Sequence, residues 1–413
     1  MAEGCSTSRQ FSWFPKSCIP SAQEACCTIF QPVPASIVVL NSSLVGISIL
    51  PDDLLLECLS RVPSSSLSCI SLVCRRWSRL LLSQHFLSLR RLRCLLLPAV
   101  LALSSVPNNS NLIVASLPAL DEPWKIGPLI PFQTGMPIDV SQSRLSAVGP
   151  RIFIIGRDEV LCYDAWTGAV SSRSTMISPP RRFSTVVVHG KVLAVGGPEL
   201  MEYNPEVDKW RVLSRSPRTR YGCTAACIDG MVYVIGGLKV GTSELPRMVA
   251  GAEARVYAWS MDLFDVEGGV WHRSRAVPGG GCVVAACAVA GHLYILASHA
   301  VDISFWRFDA RRKGGNTGGG VGVGDWCKLK SPPLPPQTRL DSRVRFTCVE
   351  LEDKIVLVQT SGSIDDLLRR SGRSARGIRG GLVLLYDSSK EEWLRGPDLP
   401  DVVQRAACVS LEC

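Results

Sequence analysis

Phe183-Ser184-Thr185-Val186-Val187-Val188-His189-Gly190-Lys191-Val192-Leu193-Ala194-Val195-Gly196-Gly197 decides how most of the chain folds. Two runs rich in valine flank His189-Gly190, each too short for a helix, and a glycine pair closes the second, so the stretch reads as two strands joined by a tight turn. A third strand ends at Tyr203, Asn204-Pro205 turns the chain, and Trp210 belongs to a fourth. The pattern then starts again at Tyr221-Gly222-Cys223-Thr224-Ala225-Ala226-Cys227, turns at Asp229-Gly230 and continues Met231-Val232-Tyr233-Val234-Ile235-Gly236-Gly237. The glycine pairs end apolar strands where the chain needs positive φ.

A second marker counts the copies independently. An apolar or aromatic residue ending the third strand is followed about seven positions later by tryptophan: Leu117 with Trp124, Tyr203 with Trp210, Phe264 with Trp271, and Tyr386 with Trp393. Two copies depart: Tyr163 meets Val170, and Phe308 reaches Trp326 only after the Gly-rich insertion from Arg311 to Gly324. The count is about six, with periods of roughly forty residues lengthening to about sixty. A small sheet with two faces covers both only by stacking on neighbours in a ring. These features resemble kelch repeats, and the resemblance implies a mainly β fold, a six-bladed propeller of four-stranded sheets. The recurring tryptophan then reads as packing; a ring buried between blades removes about 150–250 Å² from water, on the order of 4–6 kcal/mol as an upper estimate. The first copy, from Leu95 through Trp124, lacks an opening strand, while Gln404 to Leu411 reads as an opening strand with nothing after it. The two ends are expected to complete one blade, which removes an exposed sheet edge.

Ahead of the repeats the spacing is helical. Leu54, Cys58 and Leu59, then Leu67, Ile70, Cys74, Trp77 and Leu81, recur as on two or three short helices, with Arg61 to Ser66 breaking the run. Pro51 is expected at the first helical position, Asp52 and Asp53 complement the helix dipole, and Ser64 to Ser66 are placed to cap the next helix. So short a segment cannot bury its leucines and a tryptophan by itself, and needs a partner surface. The order Leu50-Pro51-x-Asp53-Leu54, Leu59-x-Arg61-x-Pro63, Ser66-Leu67, Val73-Cys74-Arg75-x-Trp77, Leu80 and Ser83-x-x-Phe86 resembles an F-box. That resemblance, over roughly a tenth of the chain, implies a module that docks on an SKP-type adaptor and hangs a substrate receptor on a cullin-RING ubiquitin ligase. It also implies that Leu50, Pro51, Leu54, Leu59, Pro63, Leu67, Cys74 and Trp77 form the adaptor face or its supporting core. A helical pair packed on its own chain would account for the leucines but not for the Leu-Pro, Val-Cys-Arg-x-Trp and Ser-x-x-Phe order. The expected layout is a disordered tail over 1–47, an F-box over 48–90 and a propeller over 94–413.

The 413 residues exceed one ordinary core, and 46% hydrophobic residues with 35 Gly and 27 Pro suit a turn-rich β architecture. A net charge of +9 is moderate and does not by itself point to nucleic acid. The 17 cysteines are odd in number and show no zinc-ligand spacing, which predicts reduced thiols, no structural metal and a cytoplasmic or nuclear protein. The apolar run from Ala35 to Leu50 is short and broken, and the one from Phe86 to Leu103 carries Arg90, Arg91 and Arg93, so no membrane span and no signal peptide are expected.

No catalytic constellation emerges. His85, His189, His272, His292 and His299 have no partner suggested by spacing. The run Gly314 to Gly322 lacks Gly-Lys-Ser/Thr, and no aromatics interleave with the arginines of Leu368 to Arg379, so both read as loops. Arg182 and Arg345 precede their hairpins at one offset, with Arg220 and Arg343 two residues earlier. The kelch resemblance implies arginines at one mouth of a channel, where guanidinium groups would hold an acidic protein substrate. The expected function is a non-catalytic receptor without a cofactor, the F-box binding the adaptor and the propeller the target. The alternatives are a kelch scaffold outside the ubiquitin pathway, which leaves the F-box order unexplained, and a propeller enzyme, which lacks a ligand set.

Overall fold

The computed structural model describes residues 47–106, 111–131, 139–180, 182–239, 259–279, 281–299, 302–310, 325–334, 344–361 and 381–413. The expected tail lies outside them apart from Ile47, as do the Gly-rich run, the basic stretch and Arg343. Helices and blades together form one compact unit, Pro51–Cys413.

Four short helices come first: α1 (Asp52–Leu59), α2 (Leu67–Ser71), α3 (Arg75–Leu81) and α4 (Gln84–Leu92). Pro51 sits one position earlier than expected, as the N-cap of α1 (φ −54), where its carbonyl accepts the Leu55 N–H at 3.1 Å. Asp52 and Asp53 do occupy the first turn, and Asp52 also pairs with Arg76 of α3 at 2.6 Å. Ser64–Ser66 does not cap α2; it forms a single 3₁₀ turn, and the Ser64 hydroxyl accepts from Arg90 at 2.7 Å. The caps come later in the sequence. The Cys74 sulfur accepts the Trp77 N–H at the start of α3, and the Ser83 hydroxyl accepts the Phe86 N–H at the start of α4.

Six antiparallel blade sheets follow among the described residues, with a separate two-stranded sheet of Arg220–Tyr221 and Leu238–Lys239. The first blade runs from the channel outward as Ala407–Glu412, Pro98–Ser105, Asn111–Leu117 and Lys125–Ile126, with Ile130–Pro131 also on the third strand. The second is Arg144–Val148, Arg151–Ile155, Val160–Asp164 and Val170–Arg173; the third is Ser184–Val188, Lys191–Val195, Glu199–Asn204 and Lys209–Arg215. The fourth is Thr224–Ile228, Met231–Ile235, Ser260–Asp265 and Val270–Ala276; the fifth is Cys282–Val289, His292–His299, Asp302–Asp309 and Trp326–Leu329. The sixth is Val344–Leu351, Lys354–Ser361, Val383–Asp387 and Glu392–Arg395. Innermost strands touch their neighbours all the way round, with the sixth meeting the first, so the ring is closed.

The inner hairpins turn as the sequence demands. His189-Gly190, Asp229-Gly230 and Ala290-Gly291 each have positive φ at both positions (47° and 74°, 48° and 76°, 49° and 77°), the conformation whose twist matches a two-residue hairpin. Apolar side chains from facing sheets fill each gap; between the fifth and sixth blades they include Tyr294, Phe305, Leu357 and Tyr386.

The tryptophan spacing is a cross-strand register. Tyr203 lies opposite Trp210, Phe264 opposite Trp271, Phe308 opposite Trp326, Tyr386 opposite Trp393, and Tyr163 opposite Val170. The four paired indoles stay half-exposed, so they fall short of the full burial expected of them. They act as stitches instead. Each indole N–H donates to the blade before it: Trp124 to the Pro397 carbonyl (2.9 Å), Trp210 to Ser174 (2.8 Å), Trp326 to Ala276 (3.1 Å) and Trp393 to Lys330 (2.7 Å), while Trp271 reaches the Ser214 hydroxyl (3.1 Å). Trp124 lies one residue before the outer strand, not in it.

Candidate functional site

Two surfaces stand out, one on the helices and one at the end of the channel. In α1 the core positions are Leu55, Leu56 and Leu59, which leaves Pro51, Leu54 and Cys58 as an exposed stripe on the opposite side at helical spacing. Leu54 is 52% exposed, and the α2–α3 turn adds Leu72 at 85%, Val73 at 61% and Cys74. Of the eight residues singled out from the sequence, Leu59 and Leu67 are therefore buried support, Pro51, Leu54, Pro63 and Cys74 are exposed, and Leu50 and Trp77 are half-buried. Leu72 was missed, and Val73 was read only as part of the Val-Cys-Arg-x-Trp order, because amphipathic spacing marks the buried face of a helix and says nothing about a turn.

Helix α4 fixes this module to the second blade. Buried Phe86 meets Trp166 edge-on at 5.4 Å, and the buried Arg90 guanidinium stacks on both rings while donating to the Val62 carbonyl and the Ser64 hydroxyl at 2.7 Å each. Burial lowers the Arg90 pKa below the usual arginine value. A Cβ on Gly149, in the inner hairpin of that blade, would lie 2.9 Å from the Leu87 side chain. Arg91 pairs with Glu412 at the end of the first blade's inner strand (3.0 Å). All these contacts lie where inner strands end.

The opposite end, where inner strands begin, opens a central channel of about 1550 Å³. Its mouth gathers Arg144, Arg182 and Arg345. Arg182 is exposed, holds a left-handed backbone (φ 52) and lies 5.8 Å from the Tyr221 ring; its carbonyl accepts the Gly222 N–H at 2.9 Å. Arg345 donates to the Ser141 carbonyl and to Gln142 Oε1 (3.1 Å), which ties the sixth blade to the lead-in of the second. Arg144 donates to the Phe183 carbonyl at 2.7 Å. Burial, then the charge of Arg345, depress the Arg144 pKa, and burial, then Arg182, depress that of Arg345. Asp139 offsets part of this repulsion at Arg345, and an anion between the arginines would offset more. Arg144 carried no sequence signal, because it enters from the first position of a strand and not from the repeat's arginine offset.

Arg220 is a correction. Its side chain is 1% exposed and does not face the mouth; it donates to Asp262 (2.8 Å), to the Gly236 and Ser260 carbonyls (2.8 and 3.1 Å) and to the Ser260 hydroxyl (3.0 Å). The glycine pairs make room for it, since a Cβ on Gly237 would sit 3.2 Å from its own Cβ. Among the described residues no three His, Cys, Asp or Glu side chains gather to hold a metal, and no helix is long and apolar enough to cross a membrane.

Comparison with known proteins agrees with this architecture. The F-box domain family matches residues 47–89. F-box/kelch-repeat protein At5g26960 of Arabidopsis thaliana is 51% identical over 425 residues, covering 100% of both chains. A second F-box/kelch-repeat protein of that plant, At1g67480, is 25% identical over 251 residues, 55% of this chain and 61% of its own. A solved structure titled "Structure of YjhT" matches 62% of this chain and 84% of its own at 14% identity, with a TM-score of 0.44. With helices that carry the F-box pattern and a closed ring of kelch blades, the chain belongs to the F-box/kelch-repeat protein family.

Proposed function

We propose that this protein is the substrate-recognition subunit of an SCF-type ubiquitin ligase, its helical module bound to an SKP-type adaptor and its propeller holding a target. Ubiquitin transfer takes place on other subunits, and the protein works in the cytoplasm, the nucleus or both. The observation that carries the reading is the pairing of an exposed apolar stripe, Pro51, Leu54 and Cys58 with Leu72 and Val73, and a channel mouth at the far end of the same compact unit. Apolar side chains left in water at this density mark a protein interface. The helix-bearing end and the arginine end lie an inner strand apart, about 17 Å for five residues, so a target at the mouth faces away from the adaptor. Immobilised SKP-type adaptor should retain the full chain and release Leu54→Asp and Val73→Asp, which keep their melting temperature. Failure of the wild type to bind, or undiminished binding by both variants, overturns the reading.

The target reading is an acidic segment held by Arg182 and Arg345, with Arg144 behind them and Arg220 withdrawn from the set. Guanidinium groups offer a carboxylate two parallel donors. A labelled oligo-glutamate peptide should bind the wild type in a salt-sensitive way and lose at least tenfold in affinity with Arg182→Ala plus Arg345→Ala, about 1.4 kcal/mol. Equal binding by the double variant removes the arginines from the site.

A further inference from the structure

The channel wall carries thiols that the receptor reading does not use. Cys223, Cys227, Cys287, Cys348 and Cys408 all line it. Two of them are neighbours: Cys287 is on the innermost strand of the fifth blade and Cys348 on that of the sixth, and these strands pack against each other. Both belong to the packing cluster that joins the two blades, Cys287 buried within it and Cys348 at its half-buried margin. Arg345, on the same strand as Cys348, puts positive charge at the mouth of the same cavity.

We propose that Cys287 and Cys348 form a peroxide-responsive disulfide that staples the fifth blade to the sixth at the channel wall. The two thiols have unequal roles. Cys348 is open to the channel and reacts first: its thiolate attacks one peroxide oxygen, the O–O bond breaks, and a sulfenic acid forms with loss of hydroxide. Cys287 resolves it. The hydroxide released in the first step takes the Cys287 proton as water, the thiolate so formed attacks the sulfenic sulfur, the S–O bond breaks, and the departing hydroxide takes up the proton that Cys348 had given up, as a second water. Two thiols and one hydrogen peroxide thus yield one disulfide and two waters. The order follows from exposure. Cys348 is half-buried and Cys287 buried, so peroxide reaches Cys348 first, while the neighbouring Cys348 and burial hold the Cys287 pKa well above the ordinary thiol value and keep it protonated until that step is complete. The bond is chemically reversible by a thiol reductant, and it constrains the strand that carries Arg345 without requiring an adaptor or a target.

The full chain, reduced and then titrated with hydrogen peroxide, is digested without reduction and analysed by mass spectrometry. A peptide pair linked through Cys287 and Cys348, lighter than the two reduced peptides by two hydrogens and split by dithiothreitol, is the expected product. Linkage of either residue to Cys223, Cys227 or Cys408 instead, or alkylation of both thiols undiminished after peroxide, overturns the proposal. In Cys287→Ser a dimedone-reactive sulfenic acid should accumulate at Cys348, whereas Cys348→Ser should leave Cys287 unlabelled. The reverse pattern overturns the order of steps, and the wild-type linkage stands as the test if either variant fails to fold.

Discussion

Arg220 and Arg182 show what one residue's sequence context conveys and what it does not. Both precede the opening strand of a blade, both looked available for a ligand, and only one is. The offset of two residues between them turns one side chain out over Tyr221 and the other into the blade, where Asp262 waits forty-two positions later in the chain. Nothing local announces that partner; the pair forms because Gly236, just after the second strand of the fourth blade, and Ser260, which begins the third, both lie beside Arg220. Asp262 also accepts from Arg218 at 3.0 Å, so one buried carboxylate serves two arginines. Removing a member of such a network leaves a charge in low dielectric with fewer partners. Arg220→Met is therefore expected to destabilise folding by about 3–5 kcal/mol, read as a shift of the urea midpoint. Adding Asp262→Asn should give back part of that loss, since the variant carboxamide carries no charge. Strict additivity of the two changes would show that they do not share a network.

At the scale of elements, the hairpin stretch around His189-Gly190 and the tryptophan spacing were legible because each depends on local physics: positive φ at a two-residue turn, and a cross-strand register set by the length of that turn. The stitching role was not legible. A spacing tells which residue faces Trp210 across the sheet, but the Ser174 carbonyl that accepts its N–H belongs to another blade. The same limit explains the second blade, whose missing tryptophan looked like a degenerate repeat. Val170 stands in the register position, and the tryptophan of that copy, Trp166, is turned to Phe86 and Arg90 of α4. This blade exchanges a stitch to its neighbour for a joint to the helices. Trp166→Ala should cost about 3–5 kcal/mol if the ring is as well packed as its contacts indicate. The diagnostic readout is limited proteolysis: cleavage between Leu92 and Pro98 should accelerate in Trp166→Ala and stay slow in Trp326→Phe, which removes the indole hydrogen bond between the fourth and fifth blades, across the ring from the helices. Equal acceleration in both would mean that the loss is general destabilisation and not release of the module.

For the whole molecule the decisive element is the last one. Ala407–Glu412 supplies the innermost strand of the first blade, paired antiparallel with Pro98–Ser105 from Leu103 opposite Ala407 to Pro98 opposite Glu412. The Leu97 N–H donates to the Cys413 carbonyl at 2.9 Å and the Cys413 N–H to Leu97 at 3.1 Å, which extends the ladder to the foot of α4. Without this strand the inner edge of Pro98–Ser105 would be left unpaired. Without it the second and sixth blades would lose their shared neighbour, and the packing that Cys408, Val409 and Leu411 provide on both sides of the first blade would open. Burial of each apolar side chain of this size contributes about 1.5–3 kcal/mol, so a few of them amount to a large part of the 5–15 kcal/mol that typically holds a domain together. Deleting Arg405 to Cys413 should therefore lower the melting temperature of the entire propeller by more than about 10 °C or abolish cooperative unfolding, although the deletion touches one strand of one sheet. A synthetic peptide spanning 404–413, added in excess, should raise the melting temperature in proportion to the logarithm of its concentration, as a ligand that binds only the folded ring does. Calorimetry with and without the peptide separates two outcomes. A truncated chain that melts unchanged would show that the ring does not depend on its closing strand. A truncated chain that is destabilised and indifferent to the peptide would show that the loss comes from the unfolded or rearranged first blade, so that covalent continuity through Arg405, and not the edge itself, is what closes the propeller.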